Sequence, residues 1–292
     1  MRLDDWHLTE DIDDFLARAG EFLRSRPALH NTPLTVIERL RRRGADAYGA
    51  GATVFGHLEQ SGEVRAIFYR LATQRLTLTP LSSEQADALA AHLADLGHSF
   101  SGVTADHATA TAFAEAWQRH TGTAPVRDWR GRLYRLGPLT PPEPRPDGRG
   151  RVLGAQDHEQ LIHWCNEFAA DVGEAPTLDA ESWAKSRFAD KHFTFWEAPD
   201  GTPVSMAGST SMVGGMIRVD PVYTPAHLRG LGYAGAVTVE VSRAALAAGA
   251  TDVVLFTNPA NTTSNALYQR VGYVPVTYFT GYRLSGNAPE AG

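Results

Sequence analysis

Polar and hydrophobic positions alternate in two short sets of runs, one in each half of the chain, and between the runs the apolar spacing lengthens to the three or four residues of a helix. In the first half, runs at 53–58 and 64–70 read as strands joined by a turn at Gly62. A third strand, 75–79, ends at Pro80. In the second half, 193–197 and 204–209 are joined at Gly201, and 216–220 ends at Pro221. Each third strand leads to an alanine-rich helix that stops at a glycine, 84–96 before Gly97 and 234–248 before Gly249. A short strand, a second helix and a closing strand complete both halves.

Between the two sets lie Pro138, Pro141, Pro142, Pro144 and Pro146, whose missing N–H groups interrupt helix and sheet alike. This stretch is expected to be a stiff linker over 138–150, separating a domain at 1–137 from one at 151–292. A length of 292 residues suits two domains of ordinary size. The closing segments share letters: Ala-Trp-Gln-Arg at 116–119 matches Leu-Tyr-Gln-Arg at 267–270, and Leu-Tyr-Arg-Leu at 133–136 matches Gly-Tyr-Arg-Leu at 281–284. The halves therefore read as a faint repeat. From Pro80 to Trp117 the first spends 37 residues, whereas from Pro221 to Tyr268 the second spends 47. Most of the excess falls in 224–234, between strand and helix, and the second copy has Tyr268 where the first has Trp117.

That extra segment contains Arg229-Gly230-Leu231-Gly232-Tyr233-Ala234. A glycine-rich turn between strand and helix lets backbone N–H groups converge beside the positive helix end, a nest that suits a pyrophosphate. The same spacing also serves a helix entered through a flexible turn. The pattern Arg229-x-x-Gly232-x-Ala234 resembles the coenzyme A signature of the GCN5-related N-acetyltransferase (GNAT) superfamily. The preceding Val222-Tyr223-Thr224 resembles the strand end that pairs with pantetheine. A second element about thirty residues on, Asn261-x-x-Ser264-x-x-Leu267-Tyr268 with Gly272-Tyr273, is similar to a later motif of the superfamily.

The resemblance covers 151–284 and implies two GNAT-like domains in tandem, the first degenerate. Each would be an α/β (α+β) unit with a central, mostly antiparallel mixed sheet flanked by helices. It implies acetyl-CoA as co-substrate, bound by residues 222–224 and 229–234, and Tyr268 as general acid. A tyrosine at that helical spacing also commonly packs a helix on a sheet. Asn261 and Asn265 either cap the helix they flank or hydrogen-bond pantetheine.

An amine attacking a thioester must lose a proton, and the leaving thiolate gains from an acid near the sulfur. The base is open among Glu167, Asp171, Glu174 and Asp220, or a water. Glu174 and Asp220 are the two carried forward. With orientation in a ternary complex supplying the acceleration, no acyl-enzyme is needed, and Cys165 is expected to be a buried helix residue. The acceptor is expected to be a small-molecule amine. A protein or peptide acceptor, and a non-catalytic coenzyme A sensor or scaffold, are the competing readings.

Composition narrows the field. With 27 basic and 33 acidic residues the net charge is −6, which disfavours nucleic acid. The arginines at 39 and 41–43 suit the carbonyl-rich end of a helix closed by Gly44. The acidic start and the absence of a long apolar run predict no export signal or membrane span, and a single cysteine suits the cytoplasm. Lysine occurs only at 185 and 191 and alanine abounds, which suggests a GC-rich bacterial genome. The 11 histidines show no ligand spacing, so no metal is expected. Monomer and homodimer stay open.

Overall fold

A computed structural model describes residues 6–48, 51–71, 75–98, 100–174 and 178–284. The acidic start at 1–5 and the end of the expected second domain at 285–292 lie outside these. The chain forms two compact units, Met1–Leu133 with Val276–Gly292, and Tyr134–Pro275.

In the first unit, strand β1 (Trp6–Thr9) precedes helices α1 (Ile12–Ser25) and α2 (Asn31–Arg43). The Asp11 carboxylate starts α1 by accepting from the N–H groups of Asp13 and Asp14 at 2.8 and 2.9 Å. Helix α2 stops where Gly44 turns with φ +88°, with three arginines in the last turn, as their positions predict. Strands β2 (Val54–Gln60), β3 (Glu63–Arg70) and β4 (Leu76–Leu78) form an antiparallel run. Helix α3 (Ser83–Asp95) crosses over to β5 (Gly102–Asp106), which lies parallel to β4, and α4 (His107–Thr121) follows. Phe15 of α1 stacks on Phe55 of β2 at 4.8 Å, and Phe68, Leu89, Phe113 and Trp117 fill a core with α3 and α4.

The second unit repeats this order. Strands β7 (Arg149–Val152), β8 (His192–Glu197), β9 (Pro203–Ser209) and β10 (Met216–Tyr223) run antiparallel, with α5 (His158–Asp171) between β7 and β8. Helix α6 (Tyr233–Ala247) crosses to β11 (Asp252–Thr257), parallel to β10, and α7 (Thr262–Arg270) follows. Val237, Val241, Val253, Leu255 and Tyr273 lie in one core; Trp164, Phe188, Phe195 and Met206 form another beside α5. Among the described residues no helix is long and apolar enough to cross a membrane.

Two boundaries differ from the expected division. The stretch 138–150 is no free linker: it lies within the second unit, where Thr140 N–H donates to Val271 at 3.1 Å and the Trp196 indole donates to the Asp147 carbonyl at 3.1 Å. The indole requires an acceptor once buried, and this chain segment supplies it. The closing strands also do not stay in their own halves. Strand β6 (Val126–Leu136) gives Tyr134, Arg135 and Leu136 to the second unit, beside β11, while β12 (Tyr273–Arg283) passes to the first unit from Val276 onward. There Phe279–Arg283 pair antiparallel with Gly102–Asp106, and Leu284 joins the first core.

A chain ending at Pro275 should therefore keep its second unit and lose the first. Limited proteolysis is expected to leave a resistant fragment from the second unit while the first is digested. Undiminished resistance of residues 6–133 would show that β12 is dispensable.

Candidate active site

The parallel pair β10 and β11 parts midway. Their register runs Met216 to Asp252, Ile217 to Val253 and Arg218 to Val254 and then ends, although both strands continue. On its other side β10 slips register against β9 between Val219 and Val222. The residues within that bulge are Asp220 and Pro221. A bulge bends its strand and re-aims side chains, so the C-terminal end of β10 leaves β11 and opens a slot in the sheet. Val222, Tyr223 and Thr224 follow directly. Tyr223 is buried, its hydroxyl donating to Glu167 of α5 at 2.9 Å, and Thr224 Oγ1 meets Ser205 Oγ at 2.8 Å.

The loop after β10 lifts the chain to the start of α6. Gly230 and Gly232 both take left-handed φ angles, +82° and +86°, which favour glycine. Leu231 between them is exposed. Gly232 is the residue before α6 and no side chain caps that helix; its first turn closes with Ala236 N–H on the Gly232 carbonyl at 3.1 Å. The N–H groups of Tyr233, Ala234 and Gly235 thus have no acceptor within the helix. Free N–H groups at a helix start, with the positive end of the helix dipole, suit an anion. Arg229 spans the loop instead of standing free: its Nε donates to the Thr224 carbonyl at 3.0 Å and its guanidinium pairs with Asp171.

The first unit provides a contrast. Helix α3, in the position of α6, is closed by a capping box in which Ser82 accepts from Gln85 N–H at 3.2 Å and Gln85 accepts from Ser82 N–H at 2.9 Å. The cavity beside β4 and β5 measures about 20 Å³ and is lined by Thr77, Leu78, Thr79 and Thr104, room for little more than one water. Trp117 packs on Phe100 at 4.5 Å. The first unit has neither the glycine turn nor, where Trp117 stands in place of Tyr268, a phenol.

Helix α7 carries Tyr268 and is held from below. Asn265 is buried and its side chain is consumed: Nδ2 donates to the carbonyls of Asn258 and Asn261 at 2.9 and 2.7 Å, and Oδ1 accepts from the Tyr134 hydroxyl at 2.8 Å. It is a structural tether, with both donors used, and not a pantetheine ligand. Asn261 caps α7, accepting from Ser264 N–H at 2.9 Å. Tyr268 is 9% exposed, packed edge-on against Tyr273 at 6.1 Å. Its hydroxyl makes no hydrogen bond among the described residues. Burial first, then Tyr273 and the Asp220 charge, hold its pKa above the ordinary phenol value, so it keeps its proton.

Both base candidates are engaged. Asp220 is paired with Lys191 and lies 3.2 Å from the Arg187 guanidinium, which also meets Glu174 at 2.9 Å. Burial alone would raise the Asp220 carboxyl, but the charges of Lys191, Arg187 and Arg218 hold it well below the usual range. A carboxylate so stabilised is a poor proton acceptor. Lys191, not singled out from the sequence, is the group whose basicity has moved: its side chain is 6% exposed, and burial pulls the ammonium down to about 8 against the attraction of Asp220. Its rarity, one of two lysines in the chain, was the available signal. Cys165 is fully buried on α5 and desolvation pushes its thiol up to about 12, which removes it as a nucleophile.

The family model described as FR47-like protein matches residues 209–282, from the end of β9 into β12. No curated protein matches the chain. Among solved structures, a GCN5-related N-acetyltransferase from Sphaerobacter thermophilus superposes with a TM-score of 0.58 at 19% identity, covering 96% of this chain and 95% of that one. A GNAT-family acetyltransferase from Colwellia psychrerythraea gives 0.58 at 11% identity, covering 96% and 99%. A tandem GNAT protein from the clavulanic acid biosynthesis pathway gives 0.58 at 12% identity, covering 97% and 99%. The chain has the tandem GNAT fold.

Replacing Asn265 with alanine removes three side-chain hydrogen bonds, one fully buried and two part-buried, and takes the acceptor from the Tyr134 hydroxyl proton. The expected loss of stability is about 2–3 kcal/mol, read as a lower urea midpoint at unchanged slope, with acetyl-CoA affinity preserved in the folded protein.

Proposed function

We propose that this chain, with its tandem GNAT fold, is an N-acetyltransferase that moves the acetyl group of acetyl-CoA to an amine held in the same complex. The observation that carries the reading is the slot between β10 and β11, bounded at one end by the uncapped start of α6 and overlooked by the unpartnered hydroxyl of Tyr268. The pyrophosphate would sit on the N–H groups of 233–235 and the Gly230–Gly232 turn, and the pantetheine arm would lie along the freed edge of β10 at Val222–Thr224 as an added strand does.

The amine nitrogen attacks the thioester carbon, the carbon–sulfur bond breaks, and the Tyr268 hydroxyl gives its hydrogen bond, then its proton, to the departing sulfur. The proton from the attacking nitrogen passes to Lys191 in its neutral form, directly or through one water, while Asp220 and Arg187 balance the charge. Glu167, Asp171 and Glu174 recur every three or four residues along and just beyond α5, a row about 10 Å long; Arg229 and Arg187 pair with the latter two, so Glu167 is the carboxylate that would draw in an ammonium group. That scale favours a small-molecule amine.

Isothermal titration with acetyl-CoA is expected to give micromolar binding in the wild type and none in Gly232→Val, whose β-branched side chain is strained at φ +86°. Thermal unfolding of the variant checks that the fold is kept. If the folded wild type binds no acetyl-CoA, the proposal is wrong.

Tyr268→Phe should bind acetyl-CoA normally and lose about a hundredfold in kcat. Unchanged turnover would remove the acid role and leave a sensor or scaffold. Because Lys191 is protonated below about 8 and cannot accept a proton there, kcat/KM is expected to rise with pH through about 8, and Lys191→Arg should abolish that step. An acceptor screen of free amines against peptides tests the substrate class, with acetylation of peptides alone overturning the small-molecule assignment.

A further inference from the structure

The first unit, which has no glycine turn before its helix α3 and has Trp117 in place of Tyr268, carries a different constellation. His7 of β1 and His57 of β2 are directly opposite one another in antiparallel register, so their side chains rise from the same face. Their rings stack at 5.1 Å with an interplanar angle of 26°. Glu59, two residues along β2, turns its Oε2 to 3.9 Å from His57 Nε2. One ligand atom from each of His7, His57 and Glu59 lies within 4.8 Å of the other two.

The His57 ring is the unusual member. Its side chain is 8% exposed, Nδ1 is buried with no hydrogen-bond partner, and Nε2 is too far from Glu59 for a hydrogen bond. A buried imidazole with no hydrogen bond among the described residues is costly to keep. Stacking on His7 does not satisfy either nitrogen.

We propose that His7, His57 and Glu59 form a binding site for a divalent transition-metal ion of the zinc class. Two imidazole nitrogens and one carboxylate oxygen are the donor set of an open tetrahedral site with water in the fourth position. Bonds of about 2.0–2.2 Å require the three ligand atoms to draw closer, which exposed His7 and half-buried Glu59 supply by rotamer change while His57 stays fixed. The site uses only the first unit and does not depend on the acetyltransferase reading.

The test is titration of the full chain, freed of metal by chelation, with Zn2+ by calorimetry and with Co2+ by visible absorption. The expected result is one high-affinity ion per chain, a raised unfolding temperature in its presence and the Co2+ bands of a four-coordinate nitrogen and oxygen site. His7→Asn and Glu59→Gln change solvent-facing side chains and should leave the metal-free unfolding temperature unchanged. Each should weaken Zn2+ binding about a hundredfold or more, at or beyond the effect of losing an outer-shell partner. Absence of a stoichiometric ion in the wild type, or equal affinity in His7→Asn, overturns the assignment.

Discussion

A parallel strand pair that stops pairing halfway is the constraint on which the second unit is built. As long as β10 and β11 share a ladder, the sheet is closed and nothing can enter it. The bulge at Asp220 and Pro221 turns β10 aside after Arg218, and the two chains that leave the fork each deliver a different tool. β10 delivers the bare start of α6, and β11 delivers α7 with its phenol. The first unit retains the same parallel pair in β4 and β5 but fills the fork with threonines and closes the helix with Ser82 and Gln85. The difference between the two copies is thus a matter of a few side chains and an inserted loop on a shared frame.

Next to the fork stands a buried ammonium with its counter-ion. Asp220 cannot at once be the partner that makes Lys191 tolerable in the interior and a freely available base, because removing either member leaves the other charge uncompensated at a cost of about 3–5 kcal/mol. The pair divides the labour: the carboxylate stays charged, and the amine, weakened by desolvation, is the member able to exchange its proton. Arg187 bridges this pair to Glu174 at the surface.

Much of this was legible in sequence because it is local. Strand periods, glycine stops and the Arg229–Ala234 loop are set by residues a few positions apart, and they appear in the structure within one or two residues of where the pattern places them, except that β10 runs on through Pro221 to Tyr223, three residues past its expected end. The roles that escaped are those assembled at long range. Asn265 reads as a helix cap or a pantetheine ligand until Tyr134, more than a hundred residues away, reaches its oxygen. Lys191 and Asp220 belong to different elements, and nothing in either neighbourhood shows that they meet. His7 and His57 have no ligand spacing because a strand pairing, and not a motif, sets them side by side. The fates of β6 and β12 were hidden for a subtler reason: each reads correctly as a strand, but no local pattern states which sheet a strand will join.

That last feature sets an order of events at the ribosome. Residues 134–275 hold the whole of the second unit, whereas the first unit still needs the strand that is made after them. The first unit, although made first, waits with one edge of β5 unpaired and with the place of Leu284 in its core empty. Vectorial synthesis usually lets domains mature in the order in which they are made; here the half made first is completed only by the strand made last.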